Sequence, residues 1–262
     1  MGADRNARVL IVVPTLGRRP EFLEQTLVSI SEQGAAAHVV IVAPPVESVS
    51  ELARRFGAEV LADPGSLPGA INLGAKDACS HYEFVSWLND DDLLEAGSLD
   101  QTMRMLDENP KAVLAFGACR YIDTTGRELW VSRAGGWATR VLSWGPDLIP
   151  QPGMLMRSAA WAQVGGLDES YRLAFDLDLL LRLRRVGGFV HTPAVVSSFR
   201  WHATSLTVDD RATNLRESER AKYSALGPVG RSLSHVWNPP VRAAIRFAAG
   251  RVQRRALRLA AQ

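Results

Sequence analysis

Long apolar runs are missing from this chain, and that absence excludes a bilayer-spanning helix, which needs about 20 consecutive apolar residues. The apolar run near the amino terminus, within MGADRNARVLIVVPTLGRR, is too short for a signal-peptide core and ends at Pro14. Cysteine is scarce. Cys79 and Cys119 are the only two, so no disulfide framework and no thiolate metal cluster can form, and a reducing cytoplasm is the simplest setting. Charge of one sign is lacking too, since the formal net charge is only +2, and nothing global favours nucleic acid as a partner. What remains, in 262 residues with 47% hydrophobic and 22% charged, is the composition of a globular domain with a sizeable core.

The stretch Phe84 to Gly97, FVSWLNDDDLLEAG, is an apolar run that ends at three consecutive carboxylates. It reads as a buried strand delivering Asp90, Asp91 and Asp92 to the carboxyl edge of a sheet, where open α/β sheets bind ligands. Adjacent aspartates repel one another and are best tolerated beside a cation, and hard oxygen ligands suit Mg²⁺ or Mn²⁺. The competing reading is a solvated turn or helix cap, with Leu93, Leu94 and Leu99 opening a helix.

Upstream, Val9 to Val13 is a continuous β-branched and leucine run that predicts a central parallel strand. A helix from Pro20 to about Gly34 follows, then a strand at Val39 to Val42, a helix near Val49 to Phe56 and a short strand at Val60. This βαβαβ order opens a doubly wound nucleotide-binding sheet. Asn72, at the start of the next helix, could bond a phosphate, a sugar or the backbone, or serve as a local cap. Downstream, Val113 to Tyr121, the turn at residues 123–126 and Leu129 to Val131 predict a hairpin, so the second half is mixed. Trp130, Trp137, Trp144 and Trp161 fit either core or an aromatic platform for a sugar ring.

In LAFDLDLLLR, Asp176 and Asp178 lie in the start of an otherwise apolar helix, where unpaired carboxylates are costly. Asp178 is expected to cap the helix or pair with Arg182 one turn on, whereas Asp176 is the candidate for function. A last strand, Phe189 to Phe199, runs into FRWHATSLT.

In their order, VVPTLGR, AINLG, WLNDDDLLEAGSL, IPQPGMLMR with VGGLDESY, FDLDLLLR and FRWHATS resemble the family 2 glycosyltransferases, over roughly the first four fifths of the chain. The resemblance implies an α/β GT-A fold, a mixed, mainly parallel sheet flanked by helices, as a catalytic domain over residues 1–226 with a basic helical tail over 227–262. It implies a metal-dependent inverting transfer from a nucleotide-diphosphate sugar, a UDP-sugar first, to a glycan or lipid-linked acceptor. The matched positions make Asp176 the catalytic base and Pro14, Thr15, Asn72, Asp90 and Asp91 the donor contacts. Asp91, Asp92 and His202 fall to the metal, Mn²⁺ or Mg²⁺, and Gln151 and Trp144 to the acceptor side. Two departures stand out: Ala43-Pro44-Pro45 where relatives carry a nucleoside-binding Asp pair, and Phe175 where Glu is common. A sugar nucleotidyltransferase would need a Gly-rich, Lys- and Arg-bearing loop after the first strand, and only LGRRPE stands there. A non-catalytic sugar-binding relative would be expected to have lost the aspartates. The tail repeats Ile245, Ala249, Val252, Ala256 and Leu259 at helical spacing among arginines, which suits either an anionic membrane surface or packing on the catalytic domain.

Overall fold

The computed structural model describes residues 7–226, apart from 35, 36, 134, 144, 146 and 202–209. Trp144, His202 and the 227–262 tail lie outside the described residues. In chain order the elements are β1 (Val9–Pro14), α1 (Pro20–Ser31), β2 (Ala37–Ala43), α2 (Glu47–Phe56), β3 (Glu59–Ala62), α3 (Leu67–Gly74), α4 (Ala78–His81) and β4 (Phe84–Trp87). Then come β5 (Leu93–Leu94), α5 (Ser98–Glu108), β6 (Ala112–Ile122), β7 (Glu128–Ser132), α6 (Gly136–Val141), β8 (Leu155–Arg157), α7 (Ser158–Val164), α8 (Phe175–Val186), β9 (Gly188–Arg200) and α9 (Arg211–Ala225).

One sheet gathers these strands in the order β3-β2-β1-β4-β8-β6-β9-β5, with β7 beside β6. From β3 to β4 the pairing is parallel, and this first half is wound as the apolar runs require. Every residue of β1 is buried because helices cover both faces. Val9, Ile11 and Val13 join α1, α2 and α5 in one core layer, while Leu10 and Val12 join α3, α7 and α8 in the other. Gly74 permits the second layer to close, since a Cβ there would lie 2.5 Å from Val12 Cγ1.

The second half is mixed. β8 runs antiparallel to both β4 and β6, and β6 pairs antiparallel with β7 as the expected hairpin. β9 lies parallel to β6 and antiparallel to β5. Leu93 and Leu94 therefore form a two-residue strand against Ser198 and Ser197, and the following helix waits until Ser98. Among the described residues no helix is long and apolar enough to cross a membrane.

Candidate active site

β1 and β4 are neighbours, so their carboxyl ends place Thr15 beside the acidic turn. Thr15 Oγ1 donates to Asp90 Oδ2 at 2.5 Å and accepts from Gly17 N at 2.9 Å. Gly17 holds this bend with φ +68°, which strains any other residue, and a Cβ there would also meet Val49 Cγ2 at 3.0 Å.

The three aspartates have three different settings. Asp91 faces Arg19, whose Nη2 lies 3.2 Å from Asp91 Oδ2. Asp90 is largely buried, and burial raises its pKa, with the Thr15 hydrogen bond opposing and Asp91 adding to the rise. Asp92 is fully buried: Oδ1 accepts from the Arg200 backbone N–H at 3.0 Å and Oδ2 from Asn89 Nδ2 at 3.0 Å. Its pKa is pushed well up by burial, then by Asp91. That setting differs from a metal-facing one, and it leaves Asp90 and Asp91 as the aspartates toward solvent.

Arg200 is the residue that sequence reasoning passed over. It is 2% exposed, yet its guanidinium donates to Asp91 O at 3.0 Å, Gln25 Oε1 at 2.7 Å, and Asp123 O and Thr124 O at 3.3 Å, with Cζ 4.3 Å from the Phe22 ring centroid. One side chain thereby ties the acidic turn to α1 and to the β6–β7 turn. The cations that the aspartates call for thus include two from the chain itself, Arg19 and Arg200. Against three carboxylates they leave one formal negative charge.

A second acidic group lies in the mixed half of the chain. Trp87, the last residue of β4, packs against Phe175 with ring centroids 6.5 Å apart and against Trp161 at 6.2 Å. Gln151 Nε2 donates to Trp87 O at 3.0 Å, and Gln151 Oε1 accepts from Asn89 Nδ2 at 3.4 Å. The acidic turn, the Gln151 loop and the start of α8 are therefore joined, and α8 presents Asp176 one residue after Phe175. Burial pushes Asp176 up to about 6. Asp147, which the sequence did not single out, is raised to about 7, first by burial and then by the Asp176 charge, with Lys222 opposing. Each takes one local N–H: Leu177 N to Asp176 Oδ1 at 2.8 Å and Ile149 N to Asp147 Oδ1 at 3.1 Å. Tyr121 stacks on Trp130 with ring centroids 4.3 Å apart, and burial raises its pKa, with the Asp92 and Asp147 charges adding to the rise.

Asp178 bonds Arg182, Oδ2 to Nη2 at 2.7 Å, as the helical spacing predicts. Asn72 uses its whole amide on the protein: Nδ2 donates to Leu167 O at 2.9 Å and Glu169 Oε1 at 3.0 Å, and Oδ1 accepts from Leu167 N at 2.8 Å. Of the readings open for Asn72, the backbone bond is the one seen. Among the described residues no three His, Cys, Asp or Glu side chains gather as a metal cage. The best-formed hollow, lined by Leu27, Ile30, Ser31, Gln33, Ala37, Val39 and Phe56, contains none of the candidate site residues.

No protein-family model and no curated protein matches the chain. Solved structures do. TarS residues 1–349 from S. aureus superposes with TM-score 0.61 at 16% identity, covering 86% of this chain and 68% of that one. A longer S. aureus TarS structure gives 0.58 at 15% identity, covering 87% and 44%. The mannosyltransferase PcManGT from Pyrobaculum calidifontis, in complex with GDP-Man and Mn²⁺, gives 0.65 at 19%, covering 95% and 77%. This chain has the GT-A fold. The parallel half from β3 to β4 ends at the acidic turn, and the mixed half supplies Asp147 and Asp176.

Proposed function

We propose that the chain is a metal-dependent, inverting glycosyltransferase that transfers a sugar from a nucleotide-diphosphate donor to a hydroxyl of a glycan or lipid-linked acceptor. The observation that carries this reading is the junction of the acidic turn with the start of α8 through Trp87, Phe175 and Gln151. It links the acidic turn to the segment that carries Asp176. Asp176 takes the proton from the acceptor hydroxyl while that oxygen bonds the anomeric carbon and the diphosphate leaves with the bonding pair. A carboxylate with a pKa of about 6 is a competent base near neutrality. Phe175 and Trp87 wall the reacting centre, and Gln151 holds the acidic turn at its side.

The donor set at the turn fits a hard divalent ion. Two carboxylates plus substrate phosphates are the usual holders of Mg²⁺, so a protein cage of three side chains is not required. Asp90 and Asp91 would hold Mn²⁺ or Mg²⁺, which when bound supplies positive charge to the departing diphosphate. Thr15 keeps Asp90 oriented, and Pro14 ends the strand that carries Thr15 toward the donor. The basic tail would bring the enzyme to an anionic inner membrane face in the cytoplasm, for cell-surface polysaccharide assembly.

Calorimetric titration with UDP and GDP, with and without Mn²⁺, tests the reading. Nucleotide binding should require the metal, favour UDP, and weaken about tenfold or more in Asp91→Asn, which removes a formal charge. Metal-independent binding, or equal affinity in the variant, overturns it.

A further inference from the structure

Helix α9 is strongly polar and meets the core through Ala221, which is 1% exposed. Arg185 of α8 donates to Ala225 O at the far end of α9, and charged side chains of α9 itself reach the acidic-pair region at two places. One is the start of α8. Glu217 of α9 holds the segment that leads into that helix, with Oε2 accepting from Arg172 N at 3.1 Å, Leu173 N at 2.7 Å and the N-cap Ala174 N at 3.0 Å, where Ala174 itself has no capping side chain. Alongside, Arg220 Nη2 donates to Ser170 Oγ at 2.6 Å and lies over the Tyr171 ring, Cζ to centroid 3.8 Å. The second place is the turn before Asp147, where Lys222 Nζ donates to Gly145 O at 2.5 Å.

We propose that α9 is the positioning element of the acceptor-side carboxylates: Glu217 fixes the segment that carries Asp176, and Lys222 fixes the turn that carries Asp147. Both anchors lie on one helix, five residues apart in the chain, so α9 links the two carboxylate-bearing segments directly, beside the link that Trp87 and Phe175 make to the sheet. The charged groups facing the pair are Lys222 on α9, with Glu219 near it, and Tyr121 on β6. The Glu217 backbone bonds hold its carboxyl below the usual range, so it is ionised whenever the enzyme works near neutrality. Lys222 opposes the rise at Asp147 and is itself pulled down by burial. The catalytic meaning of this arrangement rests on the proposed transfer reaction, whereas the positioning itself does not.

Carboxyl-carbon NMR titration of the full chain separates positioning from plain packing. Lys222→Met should raise the Asp147 midpoint by about one unit, the lower range for loss of a nearby opposite charge. Lys222→Arg should keep it near the wild-type value. In Glu217→Ala the amides of residues 172–174 should lose protection from hydrogen exchange and the Asp176 midpoint should move, with partial recovery in Glu217→Gln. Should Glu217→Ala not fold, Glu217→Gln alone is compared with wild type, and a smaller shift in the same direction is expected. An unmoved Asp147 midpoint in folded Lys222→Met, or unchanged 172–174 amides in the folded Glu217 variant used, overturns the proposal. Metal-dependent nucleotide binding should persist in all these variants. Its absence in wild type itself would instead overturn the transferase reading and leave the NMR result standing.

Discussion

The acidic turn after β4 and the Asp147–Asp176 pair beside α8 handle their charge in opposite ways. At the end of β4 the aspartates are netted by Thr15, Asn89, Arg19 and the buried Arg200. Beside α8, Asp147 and Asp176 each accept a local backbone N–H, and Lys222 opposes the rise at Asp147 alone. The same side chain is thus anchored in one place, the corner after β4, and left with few partners in the other. What differs is the supply of guanidinium and hydrogen-bond donors; apart from the buried Asp92, the aspartates of both groups are half-buried.

The sharpest way to break this contrast is Asp176→Asn, which keeps shape and removes the proton acceptor. Turnover should fall by about two to four orders of magnitude while nucleotide binding is retained. A transfer assay paired with calorimetry checks it, and loss of nucleotide binding as well would make Asp176 part of the netted corner instead. In the wild type, activity should rise with pH through the range from about 6 to about 7 as the pair loses its protons.

Next in size is Arg200→Met. Removing one member of a buried charged network costs about 3–5 kcal/mol, because Gln25 and the Asp91, Asp123 and Thr124 carbonyls are left without their donor and the acidic turn without that cation. Denaturant unfolding should show that loss, and Arg200→Lys should recover little of it, since an ammonium cannot reach Asp91 O, Gln25 and the Asp123–Thr124 carbonyls together. A small effect would mean that the corner does not depend on its internal cation.

The mildest test uses stability against pH. Asp147 has a folded pKa of about 7 against an ordinary 3.8, so the folded state binds more protons than the unfolded one between those values. Stability from this group is therefore full at low pH and declines as pH climbs from about 4 to about 7. Asp147→Asn removes the penalty: its melting temperature should exceed that of the wild type at pH 8, by about 2–4 °C per kcal/mol, and the gain should vanish near pH 4. A variant less stable at pH 8 would show that Asp147 is held ionised by partners, as the corner aspartates are.

Much of the frame was legible in the sequence because it rests on local pattern. The apolar runs of β1 and β4, the Pro20 start of α1, the β6–β7 hairpin and the Asp178–Arg182 pair each follow from residues a few positions apart. The Leu93–Leu94 strand was hidden because its reason is a partner in β9, about a hundred residues on. Arg200, Asp147 and Glu217 share that invisibility: each acquires its meaning from groups distant in the chain. An arginine in FRWHATS reads as solvated until Phe22 and Gln25 are placed against it. The setting of Asp92 was equally out of reach, since three identical neighbours in sequence carry no sign of which one turns inward.

The Asp92–Arg200 bond spans 108 residues, and this has a consequence in time. The parallel half from β3 to β4 uses only the first third of the chain and can consolidate as it leaves the ribosome, whereas the long-range pairing of β9 closes a large loop and is slow. Until β9 docks, the acidic turn has Arg19 but not Arg200 as a counter-charge, and Asp92 lacks the backbone N–H that it accepts from in the folded chain. The inward setting of Asp92 therefore arrives with the last strand, well after the strand that carries it has formed.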